Sequence, residues 1–335
     1  MTRKEHLIAE ADDDIRLDRW FKRHFPQLAH SMLEKWLRKG DVRLDGKKAK
    51  AAERVRAGQV IEIRSQAADE EMQKQLAARP KARSLKPDDA KQIQDWVLYK
   101  DANLIIINKP FGLAVQGGTK ITRSVDDMLD ALAEGGERPK LVHRLDRDTS
   151  GVLVLARSAK AANALMNLFS SRKVEKYYLA LVQGAPELHR GSINLPLRKK
   201  DNPRRESGKP PAEGKPREYE IVMVDEEAGQ KAVSHYRVID ALARQFALVE
   251  LMPETGRLHQ LRVHMQAIGH SIVGDHKYGG ETRIAAGLGV ENKLHLHAWK
   301  IELPPILGGK PVKVKAPLPQ HMKNSFKALG IDIPK

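Results

Sequence analysis

The chain has 335 residues, enough for two domains and a sizeable core. Its 59 Lys+Arg outweigh 43 Asp+Glu, a formal net charge of +16 with a pI of 9.8, which points to an anionic partner. The absence of cysteine excludes disulfides, thiolate zinc sites and cysteine nucleophiles; with no signal-peptide core at Met1–His6 and no run approaching a membrane span, a soluble cytoplasmic monomer is expected.

The first domain is read over Asp13–Arg64, which carries 14 Lys+Arg against 8 Asp+Glu. Arg16–His24 reads as a basic helix in which Leu17, Trp20 and Phe21 keep a 3–4 spacing, ended by Pro26. Ser31–Lys39 reads as a second helix, with Met32, Leu33, Trp36 and Leu37 on one face and Gly40 as its stop. Val42–Lys47 reads as a strand entering an Asp-Gly turn, and Val60–Ile63 as a closing strand. This phasing leaves Arg19, Arg23, Lys35, Arg38 and Lys39 free to meet a phosphate backbone, giving affinity and orientation rather than sequence reading. Ser65–Asp95 reads as a polar linker with a helix-prone patch at Glu70–Ala78.

The second domain runs from Trp96 to Lys335. Strands are predicted at Trp96–Tyr99, Leu104–Asn108, Val152–Ala156, Tyr177–Val182, Ala232–Ile239, Ala247–Leu251 and Leu294–Ile301, and helices at Ala159–Ser170 and Arg257–Ile268. Several strands follow one another without an intervening helix. The fold class is therefore α+β, with a mixed, mainly antiparallel sheet and flanking helices. Arg198–Arg217, with 8 Lys+Arg against 3 Asp+Glu and several prolines and glycines, reads as a basic mobile loop.

Three segments of this domain carry the chemistry, and a fourth shapes the rim of the site. Asn108-Lys109-Pro110-Phe111-Gly112 leaves a strand and turns sharply. In His143-Arg144-Leu145-Asp146-Arg147-Asp148-Thr149-Ser150-Gly151 a carboxylate stands between arginines just before a buried strand; such a group stays ionised and can act as nucleophile or base. Lys176-Tyr177-Tyr178 places Tyr178 on the strand face of Ala180 and Val182, where its ring can stack on a pyrimidine and its hydroxyl move a proton. In Gly256-Arg257-Leu258-His259-Gln260-Leu261-Arg262-Val263-His264, helical spacing makes Leu258, Leu261, Met265 and Ile268 a buried stripe and projects His259 and Arg262 together. A half-buried arginine needs an acid, and Asp146 is the expected partner of Arg262.

These strings, in this order, resemble the ribosomal large-subunit family of RNA pseudouridine synthases, in particular its C type, over nearly the whole chain. The first domain resembles the S4 type of RNA-binding domain. The resemblance implies isomerisation of uridine to pseudouridine in large-subunit (23S) ribosomal RNA, without cofactor or metal. Asp146 would be the catalytic aspartate, ionised and attacking ribose C1′ or base C6 or assisting elimination to a glycal. Arg262 would pair with it and Tyr178 would hold the base. Arg144 would fill the place of the flipped uridine or displace the base. His143, Arg147, Lys109 and His259 would help to contact the RNA. Arg-Leu-Asp-Arg also occurs at Arg16–Arg19, where Asp18 reads as a helix-start carboxylate, so the nine-residue string and not the tetrapeptide is the signal.

Two other functions fit parts of the sequence. A non-catalytic RNA-binding ribosome assembly factor would share the basic first domain but has little use for a carboxylate in an RNA-facing pocket. A metal-dependent hydrolase is disfavoured because His259 and His264 lie five apart and His-Glu-x-x-His is absent.

Overall fold

The computed structural model describes residues 4–25, 28, 30–63, 87–117, 121–200, 221–242, 245–279 and 287–333. The chain divides into two compact units, Met1–Ser84 and Leu85–Lys335.

The first unit contains β1 (Lys4–Leu7), α1 (Leu17–His24), α2 (His30–Lys39), β2 (Val42–Leu44), β3 (Lys47–Lys48) and β4 (Val60–Ile63). The sheet is antiparallel, in the order β1-β4-β2-β3. Leu17, Trp20 and Phe21 pack with Leu33, Trp36 and Leu37 against Val42, Leu44, Ile61 and Ile63, so each helix buries the stripe its spacing predicts. Asp45 and Gly46 both take positive φ, as a two-residue hairpin turn requires. Arg19, Arg23, Lys35, Arg38 and Lys39 are exposed, although Arg23 pairs with the buried Asp12. The expected start at Asp13 is corrected by β1. Lys4–Leu7 has no strand pattern of its own and becomes a strand by pairing with β4.

The second unit opens with α3 (Pro87–Asp95), which corrects the linker expected over Ser65–Asp95. Pro87 at the first position with Asp88 and Asp89 in the first turn starts the helix, and Ile93 is buried with Met128 and Leu129. The patch at Glu70–Ala78 lies outside the described residues, as does most of the basic loop Arg198–Arg217.

The remaining elements are β5 (Val97–Lys100), β6 (Leu104–Lys109), β7 (Lys140–Leu141), β8 (Ser150–Ala156), α4 (Ala159–Ser170), β9 (Glu175–Gln183), β10 (Arg190–Asn194), β11 (Leu197–Lys199), β12 (Val222–Val224), β13 (Val233–Leu242), β14 (Phe246–Pro253), α5 (Gln260–Ala267), β15 (Leu296–Leu303), β16 (Val312–Lys315) and α6 (Gln320–Leu329). Among the described residues the main sheet runs β10-β13-β14-β9-β15-β8-β6-β5, with β16 on β15 and β7 on β8. Its pairs are antiparallel except β8 with β15. All seven residues of β8 are buried, as its continuous apolar run demands.

Both faces of the sheet are covered in each half. Around β6 and β8, α4 packs on one face and α3 with a short 3-10 helix, Asp126–Leu132, on the other. Around β9 and β14, α5 covers one face and α6 the other. Tyr178 touches the cores on either side of this joint, and the site lies there.

Candidate active site

Asp146 lies on the loop between β7 and β8. Its carbonyl accepts the Thr149 N–H at 3.1 Å, closing a turn that delivers Ser150 and Gly151 into the sheet. Ser150 Oγ meets Nδ1 of the buried His297 at 2.8 Å. Gly151 takes φ +110°, and a Cβ there would stand 2.2 Å from the Ala298 carbonyl oxygen. Only glycine permits this approach of β8 to β15.

Lys109 pins the same loop from beneath. It is fully buried, and its Nζ donates to the carbonyls of Pro110, Leu113 and Arg147 at 2.9, 2.7 and 3.0 Å. Burial pulls its pKa down to about 7, opposed by Asp148 and Asp146. The expectation of Lys109 as an RNA contact is thereby corrected, since it holds backbone to backbone.

Tyr178, Asp146, His259 and Arg262 line one cleft of about 790 Å³, together with His143, Arg144, Leu145, Met166, Phe169 and Leu296. Arg262 reaches Asp146 at 3.7 Å and His259 Nε2 reaches it at 3.8 Å. Among the described residues the Asp146 carboxylate accepts no hydrogen bond, and its side chain is 21% exposed. The Arg262–Asp146 ion pair expected from sequence is present, and Asp275 is a second acid that takes the closer guanidinium contacts. That buried carboxylate takes Arg262 Nε and a terminal guanidinium nitrogen, each at 2.7 Å. Its Oδ1 also accepts the N–H groups of Lys277 and Tyr278, so the acid is held by its own turn.

His259 arrives by a different backbone route from the one its spacing predicts. The helix begins at Gln260, not Arg257, and His259 is its N-cap in the left-handed region, φ 53°. That conformation costs roughly 1–2 kcal/mol for a residue with a Cβ. Gln260 stabilises the entry: Oε1 accepts Arg257 N–H and Thr255 Oγ1–H, and Nε2 donates to the Val233 carbonyl and Ser234 Oγ. The helix is buried nearly all round rather than along one stripe, because Val263 and His264 also find cover.

Tyr278 sets the His259 ring. Its hydroxyl accepts the Val222 N–H at 2.9 Å and is hydrogen-bonded to His259 Nδ1 at 2.7 Å, which turns Nε2 toward Asp146. Burial pushes the His259 pKa down to about 4 against the pull of Asp146. Burial, with the charge of Asp146, raises the Tyr178 phenol above its ordinary value, so it stays protonated. The Tyr278 ring lies 5.1 Å under the Arg262 guanidinium carbon.

Of the other expected contacts, Arg144 is exposed on the cleft. Arg147 is not among its lining residues and pairs with Asp148. His143 lines the cleft, but its ring is committed to the fold. Nε2 accepts the Val154 N–H at 2.8 Å, the ring stacks on Phe169, and burial drives its pKa down to about 3. Sequence reasoning missed Asp275 and Tyr278 as site residues. Their signal is the string Gly274-Asp275-His276-Lys277-Tyr278-Gly279, a turn that follows the arginine helix.

The family description "RNA pseudouridylate synthase" matches residues 103–267, a span holding Asp146, Tyr178 and Arg262. Ribosomal large subunit pseudouridine synthase C of Rickettsia prowazekii (strain Madrid E) is 34% identical over 305 residues, covering 91% of this chain and 94% of that protein. Its namesake from Vibrio cholerae serotype O1 is 32% identical over 329 residues, 97% of either chain. The solved structure of human RNA Pseudouridylate Synthase Domain Containing 4 aligns with a TM-score of 0.59 at 30% identity, covering 73% of this chain and 97% of that one. With the sheet, the cleft and its acid in place, these likenesses over most of the sequence mean that the chain belongs to the RNA pseudouridine synthase family.

Proposed function

We propose that this enzyme isomerises uridines of large-subunit ribosomal RNA in the cytoplasm, with Asp146 as its catalytic aspartate. The observation that carries the reading is the Asp146 carboxylate, free of hydrogen bonds among the described residues, facing Arg262 and His259 in a cleft rich in cations. A site built only to hold RNA gains nothing from a negative charge there.

In the reaction the N1–C1′ bond breaks, the base turns, and C5 bonds to C1′. C5 loses a proton and N1 gains one, so composition is unchanged. Asp146 serves C1′ attack, C6 attack or assisted elimination equally well. Arg262, oriented by Asp275, supplies positive charge beside it. Tyr178, with its proton retained, offers a ring face and an O–H to the base rather than a phenolate. The uridine must leave its helix to enter, and Arg144 at the cleft mouth is suited to take its place. The first unit acts as an S4-like anchor through Arg19, Lys35, Arg38 and Lys39.

Tritium release from 5-tritiated uridine in protein-free large-subunit ribosomal RNA tests the proposal. Wild type should release tritium, whereas Asp146→Asn should not, with RNA binding kept. Release by Asp146→Asn would overturn the assignment, and binding without release by either protein would favour an assembly factor.

A further inference from the structure

The cations around the cleft are not alike in what they do. Arg262 is held by Asp275, Arg257 donates from Nε to the Lys231 carbonyl at 3.2 Å, and Lys199 has a partner. Among the described residues that line the cleft, the side chains of Arg144, Arg172 and Lys176 make no hydrogen bond or ion pair. Arg144 guards the mouth, whereas Arg172 and Lys176 stand together on the wall formed by the end of α4 and the start of β9.

Each is placed at a cost. Arg172 has φ 59°, the left-handed residue that ends α4, its N–H reaching the Phe169 carbonyl and the Lys173 N–H reaching that of Leu168. Glycine is the usual residue for such a cap, so an arginine there carries backbone strain. Lys176 is half-buried without an acid, and burial followed by repulsion from Arg172 lowers its pKa. Among the described residues, no neighbouring group bonds to either side chain. His143 is neutral and bonded to backbone, and Glu254, which feels Arg172, is taken by His235 at 2.9 Å. Two crowded cations whose side chains bond to no acid, on one wall of the cleft, make a place for an anion.

Lys176 and Tyr178 are two residues apart on β9 and both face the cleft. That spacing is about 7 Å along a strand. We propose that Arg172 and Lys176 form a binding subsite for a phosphodiester flanking the uridine held at Tyr178. The inference rests on RNA being the substrate. It adds a backbone contact that fixes the flipped nucleotide by its phosphate and does not touch the reacting atoms.

The test uses the full chain with Lys176→Gln, Lys176→Arg, Arg172→Gly and the Arg172→Gly/Lys176→Gln pair. Glycine relieves the left-handed backbone, so Arg172→Gly should melt no lower than wild type. Tritium release from 5-tritiated large-subunit ribosomal RNA gives kcat and KM, and filter binding of the same RNA across salt concentrations gives the electrostatic slope. Lys176→Gln should raise KM by about 5–10-fold, with the loss in KM rather than kcat, and Lys176→Arg should restore most of it. The double variant should lower the slope of log K against log salt by about 0.7, the share of one phosphate on a single strand. An unchanged slope and KM in the double variant would overturn the subsite, as would a loss confined to kcat. Failure of the wild type to release tritium would instead count against the isomerase reading, and the binding slope would still decide the subsite.

Discussion

Asp275→Asn keeps the shape of a buried side chain and removes its charge. Asp275 is 2% exposed and accepts twice from Arg262, each at 2.7 Å. An amide there keeps one acceptor and turns an NH2 toward a guanidinium N–H, donor against donor. At an effective dielectric constant of about 20, the gross attraction is about 6 kcal/mol at the 2.7 Å of Asp275 and about 4.5 kcal/mol at the 3.7 Å of Asp146. The guanidinium would therefore turn to Asp146. Removing one partner of a buried pair costs about 3–5 kcal/mol, and this second acid puts the expected loss at the lower end, about 3 kcal/mol. At about 2–4 °C per kcal/mol the second unit should melt about 6–12 °C lower. Turnover should fall about 100-fold, because Arg262 would draw Asp146 away from the position its loop sets. Calorimetry and tritium release check both parts. A melting shift below about 2 °C, or an unchanged kcat, would show that Arg262 does not depend on Asp275.

Three further outcomes are expected. Gly151→Ala would set a Cβ 2.2 Å from the Ala298 carbonyl oxygen at φ +110°, so the β8–β15 pair should open at about 3–5 kcal/mol; melting within 2 °C of wild type, on the scale of roughly 2–4 °C per kcal/mol, would refute the contact. Burial lowers the pKa of His143 to about 3 and of His295 and His297 to about 4. The unfolded chain then binds more protons below about pH 6.5, so stability is full above that pH and falls as pH drops toward 4. By pH 5.5 each histidine should cost about 1.4 kcal/mol, and a urea midpoint flat between about pH 6.5 and 5 would contradict this. Replacing Lys35, Arg38 and Lys39 with alanine should lower the salt slope of RNA binding by about 2, and an unchanged slope would remove the first unit as an anchor.

Much of the site is legible in the sequence because its groups lie on strong local patterns. The apolar run after Gly151 places Asp146 at a strand entrance, and alternation puts Tyr178 on the cleft face. What escaped depends on contacts between distant segments. Lys4–Leu7 lacks alternation and is a strand only because β4 pairs with it. Lys109 looks like any lysine beside a turn, and its burial under three carbonyls follows from how the loops close. His259 and Arg262 do converge, but a left-handed residue brings them together where helical spacing had been expected to do so.

The second acid on Arg262 changes how the site works. Had Asp146 taken both close guanidinium contacts, its oxygens would be committed to hydrogen bonds and shifted from the substrate. With Asp275 holding those contacts, Arg262 stays 3.7 Å from Asp146, and His259 stays 3.8 Å away, both beyond hydrogen-bond reach. The acid receives electrostatic support from a cation already paired elsewhere and keeps its lone pairs for the nucleotide. Asp275 and Tyr278, which fix Arg262 and His259, lie on one turn, and Lys109 fixes the loop of Asp146 from the opposite segment. The arrangement requires a second carboxylate because one acid cannot both hold the arginine and remain free to react.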